Sequence, residues 1–320
     1  MSEANSPVTP LATIGNSTAR IDAVERVTGE AKYTRDVRLP GMLYGKVLRS
    51  PHPHARIRSI DVSRAAQLPG VRAIATHETA PVVWGAGSIS GGRQYNDPAK
   101  EATLHRRFIF NNPVRFVGDS VAAVAAVDRN IAEEALSLID VDYEELPFVL
   151  EPEEALAPGA PQIWPEGNLC PDFRNNFEPM VSNIGDVEAG FAAADQIFEE
   201  RYATGFIHNG QMEPRCAMAS WQGDKLTLYT PSQGISNCRH DVARDLGLAV
   251  HQVRIVCNYM GGGFGNKNQN QDADLVAATL SRLANAPVML EYSRKEDWLG
   301  VHGRWPTVQY YKVGVKDDGE

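Results

Sequence analysis

Residues 261–265 hold four glycines in five positions, interrupted only by Phe264. Val253–Tyr259, just before them, has strand character, and Asp272–Leu283, just after, has helix character. A chain that turns through glycine from strand to helix is free to adopt unusual dihedrals and to bring its N–H groups close to a ligand. Strand, glycine turn and helix start together form a natural cradle for an anion or an oxo group. The cradle is not a phosphate loop of the G-x-x-x-x-G-K-[ST] type. Asn266 stands where that pattern needs its second glycine, and Asn268 where it needs Ser or Thr. The dinucleotide pattern G-x-G-x-x-G also fails at Asn266.

The chain of 320 residues is long enough for about two domains, and 43% hydrophobic residues supply large cores. A net charge of −9 argues against a nucleic-acid or anionic-membrane surface, which rewards clustered Lys and Arg. No apolar run reaches the ~20 residues of a membrane helix. The first residues, MSEANSPVTPLATIGNS, lack the apolar stretch of a signal peptide. A cytoplasmic location is the expectation. Cys170, Cys216, Cys238 and Cys257 show no C-x-x-C spacing, so neither an iron–sulfur nor a structural zinc motif is visible. They read as buried thiols.

The spacing of apolar and breaking residues divides the chain into four parts. Residues 1–19 read as a loose arm. Residues 20–149 mix strands (Met42–Arg49, Val121–Val127, Val141–Tyr143) with helices over Val62–Gln67 and Arg129–Ile139, the latter capped by Asp128. Thr79–Glu101, rich in Gly, Ser and Asn, reads as a surface loop. Residues 150–185 carry six prolines and read as a linker. Residues 186–320 begin a second domain. It has a helix from Val187 capped by Asp186, strands over Ile197–Thr204, Ala217–Trp221 and Lys225–Tyr229, a helix over Ser236–Leu246, and a strand over Val288–Tyr292. Tyr310–Glu320 alternates into Asp318–Gly319, a hairpin turn signal. The fold class is therefore α+β.

The run Gly261–Lys267 (GGGFGNK) resembles the GGGFGxK signature of the molybdenum hydroxylases, the xanthine dehydrogenase/aldehyde oxidase family. Other segments resemble the family in its order: Arg20–Tyr33, Asp36–Gly41, Leu48–Asp61, Leu68–Val71, Val114–Val127, Val141–Pro147, Met212–Pro214 and Thr230–Gln233. Each is short; their succession covers nearly the whole chain. The resemblance implies an α/β-hammerhead domain followed by the first part of a molybdenum-cofactor-binding domain. It implies a molybdenum-pterin cofactor shared with a partner chain that carries the remaining molybdenum domain. Iron–sulfur (2Fe-2S) and flavin (FAD) partner chains would take the electrons. The expected reaction is hydroxylation of an activated C–H with oxygen from water. A reductase of the hydroxybenzoyl-CoA type, a hydratase and a non-catalytic scaffold subunit are the alternatives. The family's catalytic glutamate would fall beyond residue 320, so no catalytic residue is expected on this chain. We read the chain as the N-terminal part of a split large subunit, with a shortened longer subunit as the alternative.

The resemblance carries over to specific positions. Gly262, Gly263, Phe264 and Gly265 would sit beside the molybdenum centre, and Gln233 would donate a neutral amide hydrogen bond to one of its oxo groups. Glycine there would leave room for a bulky cofactor, and the bland reading of Phe264 is a core filler. Phe206, Ile207, His208, Gln211, Glu213 and Asn268 are the candidate substrate pocket. His208–Pro214 matches the family imperfectly: aligned without a gap on Met212–Pro214, the family's histidine falls on Asn209. Glu213 reads as a buried structural carboxylate paired with Arg215 or Arg239. Asn268 replaces the glutamate of purine-oxidising relatives, which disfavours xanthine and favours an aromatic, alicyclic or steroid-like ring, free or carried as a thioester. His52 and His54 read as structural rather than metal-binding, and no metal ligand is expected among the side chains. Arg294–Trp298 and Arg304 read as scaffold or subunit contacts rather than catalysts, with an arginine near the pterin phosphate as the alternative.

Overall fold

The computed structural model describes residues 14–80, 83–84, 107–165, 167–169, 181–301 and 303–319. In chain order the strands are β1 (Leu43–Arg49), β2 (Ala55–Asp61), β3 (Val71–Thr76), β4 (Val83–Trp84), β5 (Arg107–Phe108), β6 (Ser120–Ala126), β7 (Asp140–Glu145), β8 (Gln196–Thr204), β9 (Cys216–Gln222), β10 (Lys225–Tyr229), β11 (Val253–Val256), β12 (Val288–Glu291) and β13 (Thr307–Val315). The helices are α1 (Ala23–Thr28), α2 (Ser63–Gln67), α3 (Arg129–Ser137), α4 (Pro152–Leu156), α5 (Val187–Ala192), α6 (Ile235–Asp245), α7 (Asp272–Ala284) and α8 (Arg294–Leu299).

One seven-stranded mixed sheet, in the order β11-β10-β9-β12-β1-β6-β3, joins the two halves of the chain. The seam is the parallel pairing of β1 with β12, Leu43 opposite Val288 and Gly45 opposite Leu290. Strands from residues 43–126 and 216–291 therefore share one ladder, although the segment 150–185, expected as a linker, divides them in sequence. The largest core is shared in the same way, with Leu43, Val47 and Phe110 clustering with Leu228, Leu275, Leu280 and Leu290. Helix α7 lies against this sheet. Its residues Ala273 and Leu275–Ala278 are all buried, and each residue packs apolar surface worth about 25 cal/mol per Å². β6 is buried at every position, as its unbroken apolar run predicts for a strand covered on both faces.

The local signals behave as expected. Asp128 accepts the Asn130 N–H at 2.8 Å to start α3, and Asp186 accepts the Ala189 N–H at 2.9 Å to start α5. Gly223 turns at φ +62 between β9 and β10. Two expectations differ, and one further helix was not expected. The strand before the glycine loop stops at Val256, three residues short, because the chain must leave the sheet to reach Glu213. The linker holds a helix, α4, begun by Pro152 at its first position, where the missing N–H is harmless. The 294–298 segment is helix α8, with Ser293 and Glu296 closing a capping box. The 79–101 loop and the N-terminal arm lie largely outside the described residues, as does Cys170. Among the described residues no helix is long and apolar enough to cross a membrane.

β8 and β13 form a separate antiparallel ribbon in which Phe198, Tyr202, Tyr310 and Tyr311 are all at least half exposed.

Gly45 sits at the seam, where an added Cβ would lie 3.1 Å from Leu290 Cδ1 and 3.2 Å from Val288 Cγ1. Gly45→Val should lower stability by about 1–3 kcal/mol through overpacking. A fall in the urea midpoint without a change in slope checks this.

Candidate functional site

The glycine loop is held from two sides. On one side stands Gln233, in the turn between β10 and α6. Its backbone N–H donates to Lys267 O at 2.8 Å. Its side-chain Oε1 accepts the N–H groups of Gly265 at 2.9 Å and Lys267 at 3.2 Å. The carboxamide oxygen is occupied by the loop, so the NH2 is the end left outward. Among the described residues nothing accepts from it. A Cβ on Gly263 would overlap this carboxamide. Glycine at 263 thus serves first to let Gln233 close on the loop, rather than only to make room for a ligand.

On the other side the loop rests on a buried ion pair. Lys267 Nζ lies 3.0 Å from Glu213 Oε2 and donates to Glu213 O at 2.9 Å, with the lysine fully buried. Glu213 Oε2 also accepts the Gly261 N–H at 2.9 Å. The carboxylate's partner is therefore Lys267, not the expected Arg215 or Arg239. Arg215 instead donates to Asn266 O, and Arg239 donates to the Val250 and Val253 carbonyls. Burial holds the Lys267 ammonium below its usual range, and the Glu213 carboxylate opposes that shift.

Between these supports the backbone at 262–264 is left with donors. Gly262 and Gly265 have φ of +99 and +89, and Phe264 has φ +51. The left-handed turn costs a non-glycine residue about 1–2 kcal/mol. Asn209 Nδ2 donates to Phe264 O and holds it there. The Phe264 ring is 64% exposed, so it fills no core gap. No hydrogen bond among the described residues satisfies the N–H groups of Gly262, Gly263 and Phe264. Three successive free donors beside an outward amide are unusual, since folded chains pair nearly all such groups.

A cavity of about 650 Å³ opens beside the loop. Of the residues singled out in the sequence, Ile207, Asn268, Phe264 and Gly265 line it. Asn209, Arg304 and Trp305 line it as well. Phe206, His208, Gln211 and Glu213 do not. Phe206 and Ile207 point opposite ways from an extended backbone that pairs with Arg304, and the Phe206 ring lies over Gly303. Gln211 is fully buried and donates to Asp297 Oδ2 at 3.1 Å. His208 Nε2 stands 3.6 Å from the same carboxylate, and burial keeps the imidazole below its usual pKa. Asp297, with no exposed surface, also accepts the Arg215 N–H at 2.9 Å. His208, Gln211 and Arg215 thus face a hub on α8, and Glu213 faces the loop's lysine, not the cavity. Asn209 is the exception, and the gapless alignment on Met212–Pro214 had pointed to it. Arg304, expected as a scaffold or subunit contact, stands on the cavity wall, and Trp305 carried no sequence signal beyond its place before β13.

Beneath the site, α7 begins with Asp274 accepting the Gln271 N–H at 2.8 Å. Burial pushes the Asp274 carboxyl up to about 6. Asp272 pairs with Arg49 at 3.1 Å. His54 Nδ1 lies 2.7 Å from Pro147 O, and His52 stacks near Tyr143, which are structural roles. Cys216 and Cys238 are buried, and burial raises both thiols. Among the described residues no three His, Cys, Asp or Glu side chains gather as a metal site.

Two family models match the chain. Residues 28–147 match the aldehyde oxidase and xanthine dehydrogenase a/b hammerhead domain, and residues 171–320 match the molybdopterin cofactor-binding domain. The chain is 34% identical to a xanthine dehydrogenase molybdenum-binding subunit of Escherichia coli, over 94% of its own length and 39% of the relative's. It is 30% identical to the nicotinate dehydrogenase large molybdopterin subunit of Eubacterium barkeri, over 96% of its length and 67% of that relative's. Quinoline 2-oxidoreductase from Pseudomonas putida 86 superposes with a TM-score of 0.75 at 29% identity, covering 94% of this chain and 37% of that one. The chain thus spans only part of the length of each.

Lys267→Met would leave Glu213 buried and unpaired. It should cost about 3–5 kcal/mol, part of it recovered in Lys267→Met/Glu213→Gln. Chemical denaturation of the two variants against wild type reads this.

Proposed function

Because the chain belongs to the xanthine dehydrogenase/aldehyde oxidase family of molybdenum enzymes, we propose that its glycine loop and Gln233 hold a molybdenum-pterin cofactor within a larger oxidoreductase. The observation that carries this reading is the set of unpartnered donors: the N–H groups of Gly262, Gly263 and Phe264 beside the outward NH2 of Gln233. Neutral N–H donors suit oxo ligands and add no charge of their own. When bound, the cofactor supplies a two-electron redox centre for placing water-derived oxygen on a C–H carbon.

The chain's own part is binding and orientation. Gln233 is locked by two N–H bonds to its oxygen, so its NH2 cannot flip away without breaking both. The Lys267–Glu213 pair holds the loop from below. Among the described residues the cavity wall carries neither carboxylate nor histidine. The general base is accordingly assigned to the remaining molybdenum domain. The iron–sulfur clusters and flavin are assigned to partner chains, and the assembly to the cytoplasm.

The relatives are named for xanthine, nicotinate and quinoline, so the shared fold does not choose among rings. Asn268 on the cavity wall does bear on the choice. Its amide can accept and donate a hydrogen bond but cannot exchange a proton with a purine. With Ile207, Phe264 and Trp305 beside it, the favoured substrate is a ring less polar than a purine.

Gln233→Ala should lower kcat by about 100-fold, as loss of one preorganised donor does. Gly263→Val should abolish turnover by driving Gln233 off the loop, with circular dichroism unchanged. Wild-type turnover in both variants would remove the assignment.

The exposed aromatic ribbon of β8 and β13 calls for a covering partner. We expect the chain to purify with the remaining molybdenum domain across an interface above ~2,000 Å². A monodisperse, stable monomer by size-exclusion light scattering would contradict this.

A further inference from the structure

The cavity beside the loop has a charge bias that cofactor binding alone does not require. The chain carries 40 acidic and 31 basic residues, yet among the described residues no Asp or Glu lines this cavity. Among the described residues the walls are otherwise neutral, with carboxamides such as Asn209 and Asn268 on them, and Arg304 is the one charged side chain. Other arginines are held by carboxylates: Arg49 by Asp272, Arg201 by Glu153, Arg244 by Asp241 and Asp245. Arg304 has no ion pair and no side-chain hydrogen bond among the described residues. Its backbone, by contrast, is fixed. The Arg304 N–H donates to Ile207 O at 2.7 Å, and its carbonyl accepts the Ile207 N–H at 3.2 Å. The guanidinium is thus mounted on a held wall, next to the apolar Ile207 and Trp305, with its donors unused. A planar guanidinium matches a carboxylate or phosphate with two parallel bonds.

We propose that this cavity binds an oxyanion group, a carboxylate or a phosphate, anchored by Arg304. The proposal rests on the reading of the adjacent loop as the cofactor cradle, since that reading supplies the two sources of such a group. The carboxylate source is a ring substrate whose apolar frame lies along Ile207 and Trp305. The phosphate source is the pterin cofactor itself.

Calorimetric titration of the complete enzyme, all subunits present, with benzoate and with benzamide separates charge from shape. Wild type should bind benzoate about tenfold more tightly than benzamide. Arg304→Gln should bring the two within about twofold, and Arg304→Lys should fall between, because the ammonium keeps the charge without the fork. The titrations are repeated after cofactor removal, and pterin content is measured in each variant. A benzoate preference in the loaded enzyme, with pterin content unchanged in Arg304→Gln, assigns the site to substrate. A preference that appears only after stripping, with pterin content reduced in Arg304→Gln, assigns it to the cofactor phosphate. Equal or undetectable binding of both probes in loaded and stripped enzyme overturns the proposal, as does a preference that survives Arg304→Gln. A wild-type complex without molybdenum or pterin that still prefers benzoate would overturn the cofactor reading and leave the anion site standing.

Discussion

The parallel pairing of β1 with β12 governs the molecule, because it fuses residues near 45 and near 290 into one sheet. Leu43 N–H reaches Pro287 O at 2.8 Å, and the two strands then run in register through Gly45 and Leu290. Every element of the candidate site hangs from that seam. β9 lies on the far side of β12 and delivers Arg215 and Glu213 just before it. β10 and β11, next in the sheet, deliver the Gln233 turn and the glycine loop from their C-terminal ends. The loop and the turn emerge at one end of two parallel neighbours, where ligands commonly bind in parallel arrangements.

The loop is then pulled in opposite directions by two kinds of interaction. Below it, a buried lysine and glutamate satisfy each other in a place where either alone would be costly. Above it, a neutral amide accepts two N–H groups and presents its remaining donor outward. The loop backbone is held at Gly261, Gly265 and Lys267, and among the described residues the N–H groups of Gly262, Gly263 and Phe264 find no acceptor. That division of labour gives a rigid cradle whose unmet hydrogen-bonding demand faces the site, which is what preorganised binding of oxo groups requires.

The ordered short motifs made the family resemblance legible, and the composition made the class of fold legible. Helix and strand positions followed from periodicity and capping, to within a residue or two at α3, α5, β6 and β10. The cavity beside the loop takes in only part of the expected pocket. Of six candidate pocket residues, Ile207 and Asn268 line the cavity, while Phe206, His208, Gln211 and Glu213 face other structure. The reason is local: around residues 206–213 the chain is short of regular structure, and neither period 2 nor period 3.6 tells which side of such a segment meets a cavity.

The sequence by itself determined that a glycine-rich turn would join a strand to a helix and that this turn would present backbone donors, while the place of Gln233 beside it came from the family resemblance. The turn and its donors are local properties, set by residue type and by spacing along a few positions. Only the tertiary structure decided that Glu213 pairs with Lys267 rather than with an arginine, that Gly263 is small because Gln233 lies against it, and that Arg304 stands on the wall of the cavity beside the loop. Each of those joins residues 30 to 100 positions apart. Their meeting depends on the sheet that fuses the two halves, and on the cost of burying charge, which selects the partner that actually arrives.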